Sequence, residues 1–172
     1  LQPRRKEPMT LTLIAGLMGY FSNHLHDRTL GFTLALLCAV LAQTGLRKAE
    51  VTDDEGSFTR RCMSRASLNW VINGVVITAP TPAQLLSMVP GRDYAVITPP
   101  PSKSDALGTI WGNLPIYLPY HTGSGHLVNE AAWLRQLELN HPVPRSRLDV
   151  PLFADPSGGP LTAGLLDREL AK

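Results

Sequence analysis

The residue types best suited to chemistry in this chain cluster in one short stretch, Thr44-Gly45-Leu46-Arg47-Lys48-Ala49-Glu50. It follows a long apolar run and opens a new helical pattern, so Arg47 falls where a helix still has unpaired backbone N–H groups. A guanidinium offers two parallel donors to the nonbridging oxygens of a phosphate and stays charged at any relevant pH. If charge builds on the phosphorane oxygens during a transfer, a donor already in place stabilises it without reorganising. The helix N-terminus would add partial positive charge to the same target. This is a phosphate site in outline; the plain alternative is a surface arginine in a helix–helix turn. Glu50, one turn after Arg47, is placed to hold the guanidinium in one rotamer. As an ordinary i, i+3 surface pair it would contribute only about 0.2–0.5 kcal/mol.

The other reactive residue types are sparse. Cys38 and Cys62 are the only cysteines, too few for a disulfide framework and without CxxC or Cys/His spacing, so no metal site and no cofactor is expected. That usage fits a reducing, intracellular compartment, the nucleus if the source is eukaryotic. Tyr20, Tyr94, Tyr117 and Tyr120 all fall in helix or strand patterns and read as structural, and Trp70, Trp111 and Trp133 read as core or hairpin-packing residues. The formal charge of +2 and the pI of about 8.7 allow nucleic-acid contact without requiring it. Arg4, Arg5, Lys6, Lys48, Arg60, Arg61 and Arg65 are the residues that would track a phosphate backbone, with Asp53, Asp54 and Glu55 diluting the local charge.

The elements that must position these residues can be read in order. With 172 residues, 44% hydrophobic and 17% charged, the chain can bury one core of ordinary size. Residues 1–8 are polar, basic and proline-containing, as in a linker. Thr10 caps a helix to about Asn23, with Leu13, Ile14, Leu17, Met18 and Phe21 at helical spacing. Asp27 or Thr29 caps a second helix to about Gln43, apolar nearly all round and therefore surrounded by protein. It is too short and too closely preceded by Asp27 and Arg28 to span a bilayer, which needs roughly 20 apolar residues. The run from Leu68 to Thr78 carries β-branched residues around Asn73-Gly74, a hairpin signal. Thr81 to Met88 reads as a helical turn or two, and Tyr94 to Thr98 and Leu114 to Tyr120 as extended. A helix is expected over Leu127 to Leu139 with Leu127, Ala131, Leu134 and Leu137 inward. Asp155 to Gly159 makes a turn, and Thr162 caps a last helix. The sum is an α+β arrangement, mainly helical with a small antiparallel three-stranded sheet.

Three of these features together resemble the catalytic domain of tyrosine recombinases, the phage-integrase type of enzyme. RRKEPMT resembles the approach to that domain from a separate DNA-clamping domain. The apolar helix running into TGLRKAE resembles the family's first arginine box. The strand, the Ser102-Lys103-Ser104-Asp105 turn and the strand ending LPIYLP resemble the β-hairpin that carries the family's lysine. The phrasing of LSMVPGRDYAVITPPPSKSD and PLFADPSGGPLT is most similar to recombinase-type reading frames of eukaryotic mobile elements.

The resemblance implies residues 1–8 as a linker from an upstream domain and 9–172 as an incomplete DNA breaking-rejoining domain, truncated at its C-terminus. It implies Arg47 as the clamp on the scissile phosphate and Lys103 as the acid for the leaving 5′-oxygen, with Glu50 supporting. The partner would be double-stranded DNA, with self-association on DNA in the full-length parent, no membrane and no metal. The family's His-x-x-Arg box and tyrosine nucleophile are not matched: none of His24, His26, His121, His126 and His141 has an arginine three residues on. The path from Arg47 to Lys103 is also longer than the family's. The expectation is a DNA-binding part of a recombinase that works through a 3′-phosphotyrosine but itself lacks the nucleophile. The alternative is a non-catalytic DNA-binding or interaction remnant of a mobile element.

Overall fold

A computed structural model describes residues 10–53, 58, 62–101, 113–122 and 128–171, the side chains of 49 and 50 excepted. Helix α1, Leu11–His24, starts as its sequence dictates: the Leu13 amide donates to the Thr10 hydroxyl at 3.2 Å. For α2, Arg28–Thr44, the cap is Asp27, whose carboxylate accepts from the Thr29 and Leu30 amides at 2.9 and 3.0 Å. Ile14, Met18 and Phe21 of α1 and Leu30, Leu34, Leu37 and Val40 of α2 are buried. No helix among the described residues is long and apolar enough to cross a membrane.

The two helices meet closely at Gly31, where a Cβ would run into the Phe21 carbonyl oxygen. A helical glycine normally costs up to about 1 kcal/mol relative to alanine. Here the missing side chain is what allows the approach. Gly31→Ala should therefore destabilise the protein by about 1–3 kcal/mol in chemical denaturation, since overpacking outweighs the propensity gain. A stability equal to or above that of the parent would show that α1 simply moves aside.

The sheet has four strands, not the expected three: β1 Leu68–Ile72, β2 Val75–Ile77, β3 Tyr94–Ile97 and β4 Ile116–Pro119, in the order β2-β1-β3-β4 and antiparallel throughout. The count is four because both arms of the expected hairpin join the Tyr94 and Leu114 runs in one sheet; the Asn73-Gly74 turn has positive φ at both residues, 51° and 77°, as a type I′ hairpin requires. It adds β2 as a short edge strand whose Val75 and Val76 stay largely exposed. Leu68, Trp70, Ala95, Ile97 and Leu118 share the core face and are buried. On the opposite face Tyr94 and Tyr117 meet edge to face at 5.8 Å, a cross-strand diagonal pair.

Helix α4, Pro82–Leu86, is set by a capping box in which Thr81 and Gln84 exchange hydrogen bonds. Helix α5, Glu130–Asn140, begins later than Leu127, because the Asn129 side chain caps it by accepting from the Ala132 amide; Leu127 lies outside the described residues. It contacts both α2 and strands β3 and β4, joining the helical layer to the sheet. The last helix, α6, Ala163–Leu170, is capped by Thr162 as expected.

A clasp holds the sheet's other end. The fully buried Asp93 carboxylate accepts from the Asn73 amide at 3.0 Å, the Val89 amide at 2.7 Å and the Arg92 guanidinium at 2.8 and 3.0 Å. Hydrogen bonding from Arg92 does most to hold this carboxyl down at about 2, against burial, and the Val89 and Asn73 amides add to the lowering.

Candidate functional site

The chain reaches Arg47 through a helix end. Thr44 is the last residue of α2, its hydroxyl donating back to the Val40 carbonyl at 2.7 Å. Gly45 follows in the left-handed conformation, φ 67°, with its amide on the Leu41 carbonyl, the usual reason for glycine just past a helix. Thr44 therefore ends one helix and does not open the next. Arg47 lies in the connection before α3, Lys48–Val51, and is exposed. A single turn of helix aligns too few peptide dipoles to form an anion site, which removes the N-terminal contribution expected at Arg47.

The neighbouring charges are arranged by α6. Lys48 Nζ sits 2.8 and 2.7 Å from the two carboxylate oxygens of Asp167, both side chains partly exposed. Parallel bridging of Asp53 to Thr162 carries α6 alongside the segment that follows Arg47: the Asp53 amide donates to the Leu161 carbonyl and the Ala163 amide to the Asp53 carbonyl. Lys48 is thus at the surface, but its charge is already shared with an acid. The side chain of Glu50, and all of Lys103, Arg4, Arg5, Lys6, Arg60 and Arg61, lie outside the described residues. The structure does fix the strands on either side of Lys103. Ile97 pairs with Ile116 and Val96 with Tyr117 in the antiparallel register, so the connection bearing Lys103 leaves and re-enters at the sheet end where Leu68 begins β1.

Arg65 corrects the expectation of a phosphate-tracking surface residue. It is only 3% exposed, and its Nη1 lies 3.1 Å from Glu138 Oε1 while Nη2 donates to the His141 carbonyl at 3.0 Å. Arg147, 9% exposed, shares the same carboxylate, with Nη2 2.6 Å from Oε1 and Nη1 3.1 Å from Oε2. It also reaches the Arg65 carbonyl at 3.0 Å and the Val143 carbonyl at 3.0 Å. Burial pulls the Arg65 guanidinium below its ordinary value, Glu138 works against that, and Arg147 adds to the lowering. This Arg–Glu–Arg cluster ties the 3-10 turn at Arg65–Ser67, the end of α5 and the 3-10 turn at Arg147–Asp149 into one corner. One signal for it was in the sequence: Glu138 stands seven residues after Ala131 and four after Leu134, on the inward face of α5.

Each of the four tyrosines lies against a neighbouring ring or guanidinium, with Tyr20 and Tyr117 exposed. Tyr20 packs on Phe21 and stacks on His24, Tyr94 and Tyr117 pair across strands, and Tyr120 lies under the Arg135 guanidinium at 5.5 Å. Trp70 is fully buried in the sheet and Trp133 packs against Phe32; Trp111 lies outside the described residues. Cys38 packs partly buried against the core, and burial pushes its thiol up to about 11, which favours the protonated form at neutral pH. No group of three or more His, Cys, Asp or Glu that would hold a metal occurs among the described residues. A cleft of about 330 Å³ between α1, α2 and α5 is lined by none of the residues expected to serve phosphate chemistry. Comparison of the chain with protein-family models, with curated proteins and with solved structures finds no match.

Proposed function

We propose that this chain is a DNA-binding part of a tyrosine-type recombinase or integrase, with Arg47 as the clamp on a backbone phosphate and Lys103 as the acid for the leaving oxygen. The observation that carries the reading is the combination of an exposed Arg47 just past the glycine cap of a buried helix with an antiparallel β3–β4 pair whose connection holds Lys103. A guanidinium delivered by a fixed helix end, together with a lysine carried in the β3–β4 connection, would supply electrostatic stabilisation and proton donation without a metal. Glu50 would orient the clamp. Neither a His-x-x-Arg box nor a tyrosine in a nucleophile's position occurs in these residues, so strand cleavage would need further residues. Lys48 and the arginines and lysine at 4–6, 60 and 61 would track the phosphates, and Arg65 is withdrawn from that set.

The test is duplex binding by fluorescence anisotropy over a range of salt. Binding should weaken steeply with salt, and Arg47→Ala should weaken it up to about tenfold while lowering the log–log salt slope by roughly 0.9, one phosphate contact. With a nicked suicide duplex, these residues should form no covalent adduct. Salt-independent or absent DNA binding would remove the proposal. Unchanged binding and slope in the Arg47→Ala protein would remove the clamp.

A further inference from the structure

The cleft between α1, α2 and α5 has a composition that the phosphate chemistry at Arg47 does not use. Its aromatic lining is the Phe32 and Trp133 rings, 5.2 Å apart between centroids and tilted by 40°. Both side chains are only partly buried, so one face of this aromatic pair borders the cleft. The exposed Arg28 also lines it, its Nη1 donating to the Ser22 carbonyl at 2.9 Å and the Asn23 carbonyl at 3.5 Å, which leaves Nε and Nη2 without a hydrogen-bond partner among the described residues. Asn140 accepts from Gln136 through its Oδ1 at 2.6 Å, which leaves its Nδ2 as a donor. Thr29 and His141 complete the lining, and neither side chain has a hydrogen bond among the described residues. Asp27, the nearest acid in sequence, is turned to the α2 amides.

We propose that this cleft binds a nucleotide, its base on the Phe32–Trp133 pair and its phosphate on Arg28. An aromatic lining selects a flat π face, which every nucleobase offers. A tethered guanidinium in the same cleft selects an anion, and best a phosphate or carboxylate it can grip with two N–H groups. Asn140 and His141 offer hydrogen bonds to the edge of a base or to its sugar. A simple apolar fragment would leave the polar groups unused, and inorganic phosphate would leave the aromatic pair unused. The volume, about 330 Å³, lies at the lower end of ligand sites, roughly 300–1,000 Å³. The site stands whether or not the recombinase reading holds, because its residues do not overlap with Arg47 or Lys103.

The probe is adenosine 5′-monophosphate, followed by the indole N–H resonance of Trp133 in a ¹H–¹⁵N spectrum, assigned by its loss in Trp133→Phe. Adenosine and a short single strand with one unpaired adenine are run in parallel. The monophosphate should shift that resonance saturably with Kd below about 1 mM, and adenosine should bind at least about tenfold more weakly. Arg28→Gln, at an exposed position, should bring the monophosphate down to the adenosine level and leave adenosine unchanged, with the amide spectrum showing that the fold is kept. Tighter binding of the single strand than of the monophosphate identifies a strand as the source; equal or weaker binding identifies the free nucleotide. No saturable shift at Trp133, equal affinities for monophosphate and adenosine, or an unchanged affinity in Arg28→Gln would overturn the site.

Discussion

Glu138→Ala is expected to destabilise the protein by about 3–5 kcal/mol, because it strands two guanidinium groups in the interior without their counter-charge. Arg65 and Arg147 are 3% and 9% exposed, and both rest on the same carboxylate. Their remaining partners are main-chain carbonyls of Arg65, His141 and Val143, which satisfy donors but do not neutralise charge. The carboxylate is therefore the only full negative charge shown in contact with either guanidinium among the described residues. Removing it also leaves two like charges facing each other, which burial makes worse. Urea unfolding followed by circular dichroism measures the loss. Replacing all three members with apolar side chains of similar volume should recover much of it, since the cost lies in unpaired charge and not in missing attraction. A loss below about 1 kcal/mol in Glu138→Ala would mean that water reaches the corner and screens the two arginines.

Asp93→Asn should cost roughly 2–4 kcal/mol at neutral pH, through the loss of a buried charged acceptor and the orphaning of a part-buried backbone donor. Two oxygens accept four hydrogen bonds from three residues here: Oδ1 takes the Asn73 amide and Arg92 Nε, and Oδ2 takes the Val89 amide and Arg92 Nη2. An amide cannot do this, because its nitrogen would face a donor on whichever side it lies. The pH dependence has a fixed sign. The folded carboxyl sits at about 2, below its ordinary 3.8. A depressed folded value stabilises the native state above the unfolded value, and that contribution disappears as pH falls through the folded one. The difference between the parent and Asp93→Asn should thus be constant above about pH 5 and shrink between pH 4 and pH 2, as followed by urea midpoints at each pH. A difference that holds undiminished to pH 2 would show that the clasp acts by shape and not by charge.

How far these features can be read from sequence differs from one to the next, for physical reasons. The helix starts at Thr10, Thr81 and Thr162 were legible because a cap is a local event, one hydroxyl satisfying an amide three residues away. The Asn73-Gly74 hairpin was legible for a similar reason, since two adjacent residues with positive φ demand those side chains. Even the buried character of α2 was written in its composition. The count of three strands fell one short although the two arms of the hairpin and the two later extended runs were all legible, because which extended runs join one sheet is decided by pairing between distant segments. Arg65 was misplaced for a deeper reason: its partner lies far along the chain, at Glu138, and charge alone does not say which side of the surface an arginine occupies.

The same division runs through the candidate site. By itself the sequence determined that an arginine follows the end of a buried helix, that a lysine lies between two extended runs, and that no metal-binding spacing accompanies them, all properties of residues near one another in the chain. Only the tertiary structure decided that α6 runs alongside the segment after Arg47 and that Asp167 comes to rest on Lys48. It alone brought Phe32 against Trp133 to line a cleft. Local hydrogen bonding and backbone sterics act over a few residues and leave their mark in the sequence, whereas burial and charge pairing are settled by whichever distant segments packing brings together.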